Sequence, residues 1–318
     1  MSSLRKSIRA IILEALSGEG SFSINPNIKR FCDGFLSGKN PEIRISQAGS
    51  KMEISLYADD GLTMVGVLDF RKTTKAMGPC LKAYRVAWTT SSPKYKGGSL
   101  ICYDLAMEIL GSSQFNSGLI GDRKEVSHPL WSISPVFLSP KKHKGKGFAY
   151  KTWKKYAERT DVKKTLLDPL GFQFTPEIED DCDPGSAFAL YALERNKDYQ
   201  EFISKRRSNR ELVDFGFDFQ DSEEMKQRAA EDPLFKTAYS KNRGKRKTAF
   251  NPIIKNDPEL LAKIESDWKS YGIPLLIMYS KDSLPTWEYL INNGAALKIG
   301  GGKAKITKAL GNLAKKSN

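Results

Sequence analysis

The sequence predicts an α/β protein whose mixed sheet is flanked by helices, and three observations predict it. Residues 52–57 alternate apolar and polar side chains, Asp59-Asp60-Gly61 forms a turn, and residues 62–70 are extended again, a hairpin pattern in which Gly61 supplies the positive φ of a tight turn. Residues 83–89, with Tyr84, Val86 and Trp88, read as a further strand that breaks into a Ser/Pro/Lys/Gly loop at 91–99 and resumes as an apolar helical pattern over 100–110. A short buried strand at 118–122, an aromatic helix holding Tyr150, Trp153 and Tyr156, and two extended stretches at 172–178 and 186–193 complete the order hairpin, strand, helix, strand, helix, hairpin.

Three regions follow from the patterning. Residues 1–45 form a helical lead-in, with Leu4, Ile8, Ile11, Ile12 and Leu16 on one face and a turn-rich stretch around Pro26 and Pro41 behind it. Residues 46–195 hold the α/β domain. Residues 196–318 make a basic region of unknown fold: charge-dense helical sequence to 250, then a helix at 258–271, a strand at 273–279, a helix at 287–292 and a Gly/Lys-rich tail. No internal repeat is visible.

The 318 residues are 40% hydrophobic and include 16 Phe, 12 Tyr and 5 Trp, which is ample for a large core. Lys and Arg number 51 against 37 acids, a net charge of +14 that attracts polyanions such as nucleic acid or a phosphorylated cofactor. Cys32, Cys80, Cys102 and Cys182 have no paired spacing, so neither a zinc site nor a disulfide framework is expected and a reducing interior is the default. His128 and His143 are the only histidines, too few for a His-ligated metal centre and a poor basis for a Ser-His-Asp triad. With no apolar run of membrane-spanning length, the expectation is a soluble cytoplasmic protein with no membrane partner.

The loop at 91–99 carries the clearest chemistry. A strand, a basic glycine-containing loop and a helix place main-chain N–H groups where an anion can sit, with Lys94 and Lys96 beside them. The same residues also fit an ordinary strand–turn–helix corner. A second candidate is 139–155, where seven lysines, among them Lys141, Lys142, Lys144, Lys146 and Lys154, alternate with His143, Phe148, Tyr150 and Trp153, a mixture suited to phosphate contact and base stacking. Two more basic runs lie at 236–247 and 298–316. The acids Glu177, Glu179, Asp180, Asp181 and Asp183 could hold a hard cation or a cationic substrate amine, but they lack the ligand spacing and glycine of an EF-hand and read best as a solvated turn.

Pro93-Lys94-Tyr95-Lys96-Gly97-Gly98-Ser99 resembles the pyrophosphate loop of the GCN5-related N-acetyltransferase (GNAT) superfamily, written Pro-x-Tyr-Arg-Gly-x-Gly-x-Gly/Ala, and Leu170-Gly171-Phe172 resembles the Leu-Gly-Phe that follows that family's final helix. The sequence around 118–127 and 175–183 is also similar to acetyltransferase-like proteins of bacteriophages. The family's next glycines fall on Ser99 and Ile101, and its tyrosine before Leu-Gly-Phe falls on Leu167.

The resemblance implies a GNAT-like acyltransferase domain over 46–195 and acetyl-CoA as co-substrate, held by Trp88, Lys94, Lys96, Gly97, Gly98 and Ser99. Direct acyl transfer needs a base for the incoming ammonium and a proton for the departing thiolate; Asp122 and Glu108 are the expected bases and Tyr95 the acid. The implied function is N-acyltransfer to an amine, with DNA as partner and a modified base of a phage genome as the acceptor that joins the resemblance to the charge. The alternative is a non-catalytic structural or nucleic-acid-binding protein on a degenerate fold of the same type.

Overall fold

The computed structural model describes residues 23–121, 148–169, 172–182 and 258–316. The described residues begin with α1 (Pro26–Leu36), followed by four antiparallel strands: β1 (Glu42–Ala48), β2 (Lys51–Ala58), β3 (Thr63–Lys72) and β4 (Tyr84–Ser91). Next come α2 (Gly98–Gly111), β5 (Leu119–Ile120), α3 (Phe148–Glu158), β6 (Lys163–Leu166), β7 (Asp168–Pro169) and β8 (Asp181–Cys182). The C-terminal part adds α4 (Pro258–Lys269), β9 (Ile277–Ser280), α5 (Pro285–Asn292), β10 (Ala296–Ile299), α6 (Lys303–Leu310) and α7 (Leu313–Lys316).

Eight of these strands form one mixed sheet in the order β10-β1-β2-β3-β4-β5-β9-β6, and β7 and β8 pair separately. The expected mixed sheet flanked by helices is therefore present. The β2–β3 hairpin turns on Asp59, Asp60 and Gly61, all three with positive φ. Its alternation works as the pattern requires: Met52, Ile54, Leu56, Leu68 and Phe70 point into one core with Ile43, Ile45 and Val86, while their neighbours face the other side.

Four departures from the sequence reading have identifiable causes. The stretch around Pro26 is a helix, because Pro26 occupies its first turn, where a missing N–H costs nothing, and the Asn25 side chain accepts from the Asn27 N–H at 3.0 Å. Residues 172–178 form turns in place of a strand. From 258 onward the described residues share the main sheet: β9 lies between β5 and β6, and β10 pairs in parallel with β1 at the opposite edge. Finally, Cys80 and Cys182 are joined in a disulfide, whereas Cys32 and Cys102 are free and buried. The bond sits in a small second core with Ala83, Ile120, Leu167 and Met278 and departs from the reducing-interior expectation. Among the described residues no helix is long and apolar enough to cross a membrane.

The central helix α2 is buried along most of its length, including two acids, Asp104 and Glu108, each with no exposed surface. Lys281, directly after β9, places its ammonium 2.6 Å from Asp104 Oδ2 and 3.2 Å from Glu108 Oε1. Arg159 donates to both Asp104 oxygens at 2.7 and 2.8 Å, and the Tyr156 hydroxyl donates to Oδ1 at 3.0 Å. Glu108 also accepts from the Thr286 N–H and hydroxyl and from the Trp287 N–H, so it caps the first turn of α5, whose own cap residue, Leu284, makes no side-chain bond. Burial pushes the Glu108 carboxyl up to about 7, against the pull of the Lys281 ammonium.

Lys281→Met leaves two buried carboxylates short of a cation and should cost about 3–5 kcal/mol in urea unfolding. Because the folded chain holds a proton on Glu108 that the unfolded chain has released between its ordinary value of 4.5 and about 7, stability should fall as pH rises through that window. A melting series reads that slope, and a flat profile there means the carboxylate stays ionised. Thiol titration of the denatured, unreduced protein should find two reactive cysteines per chain, rising to four after reduction.

Candidate functional site

The corner where β4 passes into α2 is the place the sequence singled out, and its geometry is set by close main-chain packing. Gly97 caps α2 with φ +79°, and its α-carbon lies against the Phe31 ring of α1. An added Cβ at Gly98 would overlap the Val65 carbonyl, and one at Gly66 would meet the main chain of Gly98. The first turn of α2 is thus pressed onto β3. Its first intrahelical bond runs from the Ile101 N–H to the Gly97 carbonyl at 3.1 Å. The amides of Gly98, Ser99 and Leu100 point out of the helix end with no side-chain cap and no acid in the first turn.

The strand leading into this corner is open on one side. β4 pairs in parallel with β5 only at Tyr84 and Arg85, so from Val86 to Ser91 it has no strand partner on that edge among the described residues. On its other side the ladder with β3 skips Ala87, a bulge that steps the register between Val86 and Trp88. Trp88 is 53% exposed, unusual for an indole in a central strand.

The predicted residues are placed unequally. Gly97, Gly98 and Ser99 form the helix end, with Trp88 on the strand that leads into the same corner and Lys96 exposed on the loop. Lys94 is committed to an ion pair with Asp59 at 2.8 Å, and the Tyr95 hydroxyl donates to the same carboxylate at 3.3 Å. The Lys94 ammonium holds Asp59 below the usual carboxylate range.

Two predicted roles are corrected. Glu108 is sealed in the core and bound by Thr286, Trp287 and Lys281, so it does not face a substrate amine. Trp153 has no exposed surface and stacks on Tyr279 at 5.2 Å, so it is a core residue with no face for a nucleobase. Lys154, its neighbour on α3, is exposed. Asp122, Lys141, Lys142, Lys144 and Lys146 lie outside the described residues, as do the stretches 4–16, 186–193 and 236–247.

Leu170 and Gly171 lie outside the described residues, and Phe172 follows β6 and β7 instead of coming directly after a helix. Other acids near the sheet are occupied: Asp60 by Lys39 and Asn40, and Asp69, opposite Trp88 in the ladder, by Lys51 and Arg71. The feature sequence reasoning missed is the free edge of β4; its signal was the shortness of the apolar run at 118–122 against the eight residues of β4.

No protein-family model matches this chain, and neither a curated protein nor a solved structure does.

Gly98→Ala should cost about 1–3 kcal/mol, because the new methyl must displace the Val65 main chain, and Gly97→Val should destabilise through both its positive φ and Phe31. Chemical denaturation of the two variants measures this.

Proposed function

We propose that the β4–α2 corner binds the pyrophosphate of acetyl-CoA or a related acyl-CoA, and that the protein is an N-acyltransferase of the GNAT type. The observation that carries this reading is the edge of β4 from Val86 to Ser91, which has no strand partner among the described residues and leads through the 92–97 loop to the uncapped amides of α2. A diphosphate fits those amides, with Lys96 adding charge from the loop. The amide-bearing arm of the carrier fits beside the unpaired main chain of β4, as an added strand would, and brings the thioester along that edge. The acceptor amine then attacks the thioester carbonyl, loses its proton to a base and releases a thiolate. With a net charge of +14, an amine on or beside DNA, such as a modified base of a phage genome, is the acceptor class that best fits.

A second reading is favoured by the occupied acids. Glu108 is sealed, Asp59 is held by Lys94 and Tyr95, and Asp69 by Lys51 and Arg71. A corner that binds the carrier without performing transfer, in a structural or DNA-binding protein, accounts for that.

Calorimetric titration with acetyl-CoA and desulfo-CoA tests the binding shared by both readings. Saturable binding is expected, weakened at least tenfold by Lys96→Glu, a change on an exposed loop that leaves the packing of Gly97 and Gly98 intact. No binding at millimolar ligand rejects both the carrier and the transfer. Mass spectrometry of an amine-bearing oligonucleotide incubated with acetyl-CoA separates the readings: an added acetyl group supports the enzyme, and binding without product supports the silent corner.

A further inference from the structure

Away from the corner, the β7–β8 pair gathers three carboxylates that have no counter-ion among the described residues. Parallel pairing sets Asp168 opposite Asp181, and Asp180 precedes it. One carboxylate oxygen from each of Asp168, Asp180 and Asp181 lies within 4.8 Å of the other two. Asp168 has no exposed surface. Its Oδ2 accepts from the Thr175 N–H at 3.1 Å, and the Thr175 hydroxyl lies 3.0–3.1 Å from both oxygens of Asp180. Its Oδ1, equally buried, has no hydrogen-bond partner. Among the described residues, no lysine, arginine or histidine pairs with any of the three. An ionised, fully buried carboxylate with one empty oxygen, beside two more acids, is an expensive arrangement unless a cation completes it.

We propose that Asp168, Asp180 and Asp181 bind a hard divalent cation, with Ca²⁺ as the best-fitting ion. Three carboxylate oxygens on a short strand pair and its adjoining turn suit a hard ion that accepts variable geometry, and among the described residues the nearest cysteine, Cys182, is tied to Cys80 and offers no soft ligand. Burial, followed by the charges of Asp180 and Asp181, pushes the Asp168 carboxyl up in the metal-free state, as crowding of like charges requires. Bound there, the ion would join the strand leaving the main sheet at Leu167 to the segment that carries Cys182. Site and disulfide would then hold the same turn from two sides. This inference is independent of the acyl-CoA reading.

The Trp268 indole donates to the Leu167 carbonyl at 2.9 Å, one residue from Asp168, so it is placed to sensitise a lanthanide in the site. Tb³⁺ added to the EDTA-treated protein should luminesce on excitation of tryptophan, and Ca²⁺ or Mg²⁺ should displace it saturably. Ca²⁺ should also raise the melting temperature, and EDTA should reverse the rise. Asp181→Asn, at a side chain that makes no hydrogen bond or ion pair among the described residues, should weaken Ca²⁺ binding at least tenfold while keeping the metal-free melting temperature. Asp168→Asn should do the same where it folds. Displacement by Mg²⁺ in preference to Ca²⁺, with the same loss in Asp181→Asn, still supports a hard-cation site. No saturable binding at millimolar Ca²⁺ and Mg²⁺, or binding unchanged in Asp181→Asn, overturns it.

Discussion

The fold depends on a salt bridge buried in its core. Asp104 and Glu108 are one helical turn apart on α2, inside the core, and Lys281 reaches between them from the end of β9. Each charge alone would be strongly disfavoured there, and the cluster stands only when every member is present. Arg159 and Tyr156 bring in α3, and Thr286 and Trp287 bring in α5. Segments far apart in the chain are thereby fixed to one helix by directional bonds that an apolar core, which tolerates sliding, does not supply.

That helix is also the one whose first turn forms the candidate site. The knot at Asp104 and Glu108 and the main-chain contact of Gly98 with Val65 hold α2 from its middle and from its end. The amides of Gly98, Ser99 and Leu100 therefore keep a fixed direction whether or not a ligand is present, and binding an anion requires little ordering. The same rigidity explains why the glycines of this corner are poor probes of ligand binding: their hydrogens are already in contact with Val65 and Phe31.

Local pattern was legible where the physics is local. The alternation of β2 and β3, the turn at Gly61 and the apolar run of α2 each announce themselves within about ten residues. The mixed sheet followed from their order. What failed was long-range or directional. Pro26 was read as a turn because proline marks both turns and first helical turns, and only Asn25 before it distinguishes the two. Cys80 and Cys182 are 102 residues apart, beyond any spacing rule. Glu108 looked like a free acid because its partners lie more than 170 positions away, and Trp153 looked like a stacking platform because a lysine-rich helix still buries one face. The site itself was half visible: the glycines and basic loop could be read, while the unpaired edge of β4 exists only through what β5 and β9 do.

The position of β9 also fixes when this protein can exist. Its neighbours β5 and β6 end at Ile120 and Leu166, yet the strand that joins them begins at Ile277. During synthesis the ribosome must deliver the chain as far as β9 before these strands can be joined, and until then their edges and Glu108 of α2 wait without partners. Such late, distant pairing slows folding and leaves the nascent chain prone to wrong associations. A chain stopped before Lys281 would retain the sequence of the β1–β4 meander while lacking the cation that reaches Glu108, so a residue more than 170 positions away decides whether α2 can be buried against that meander.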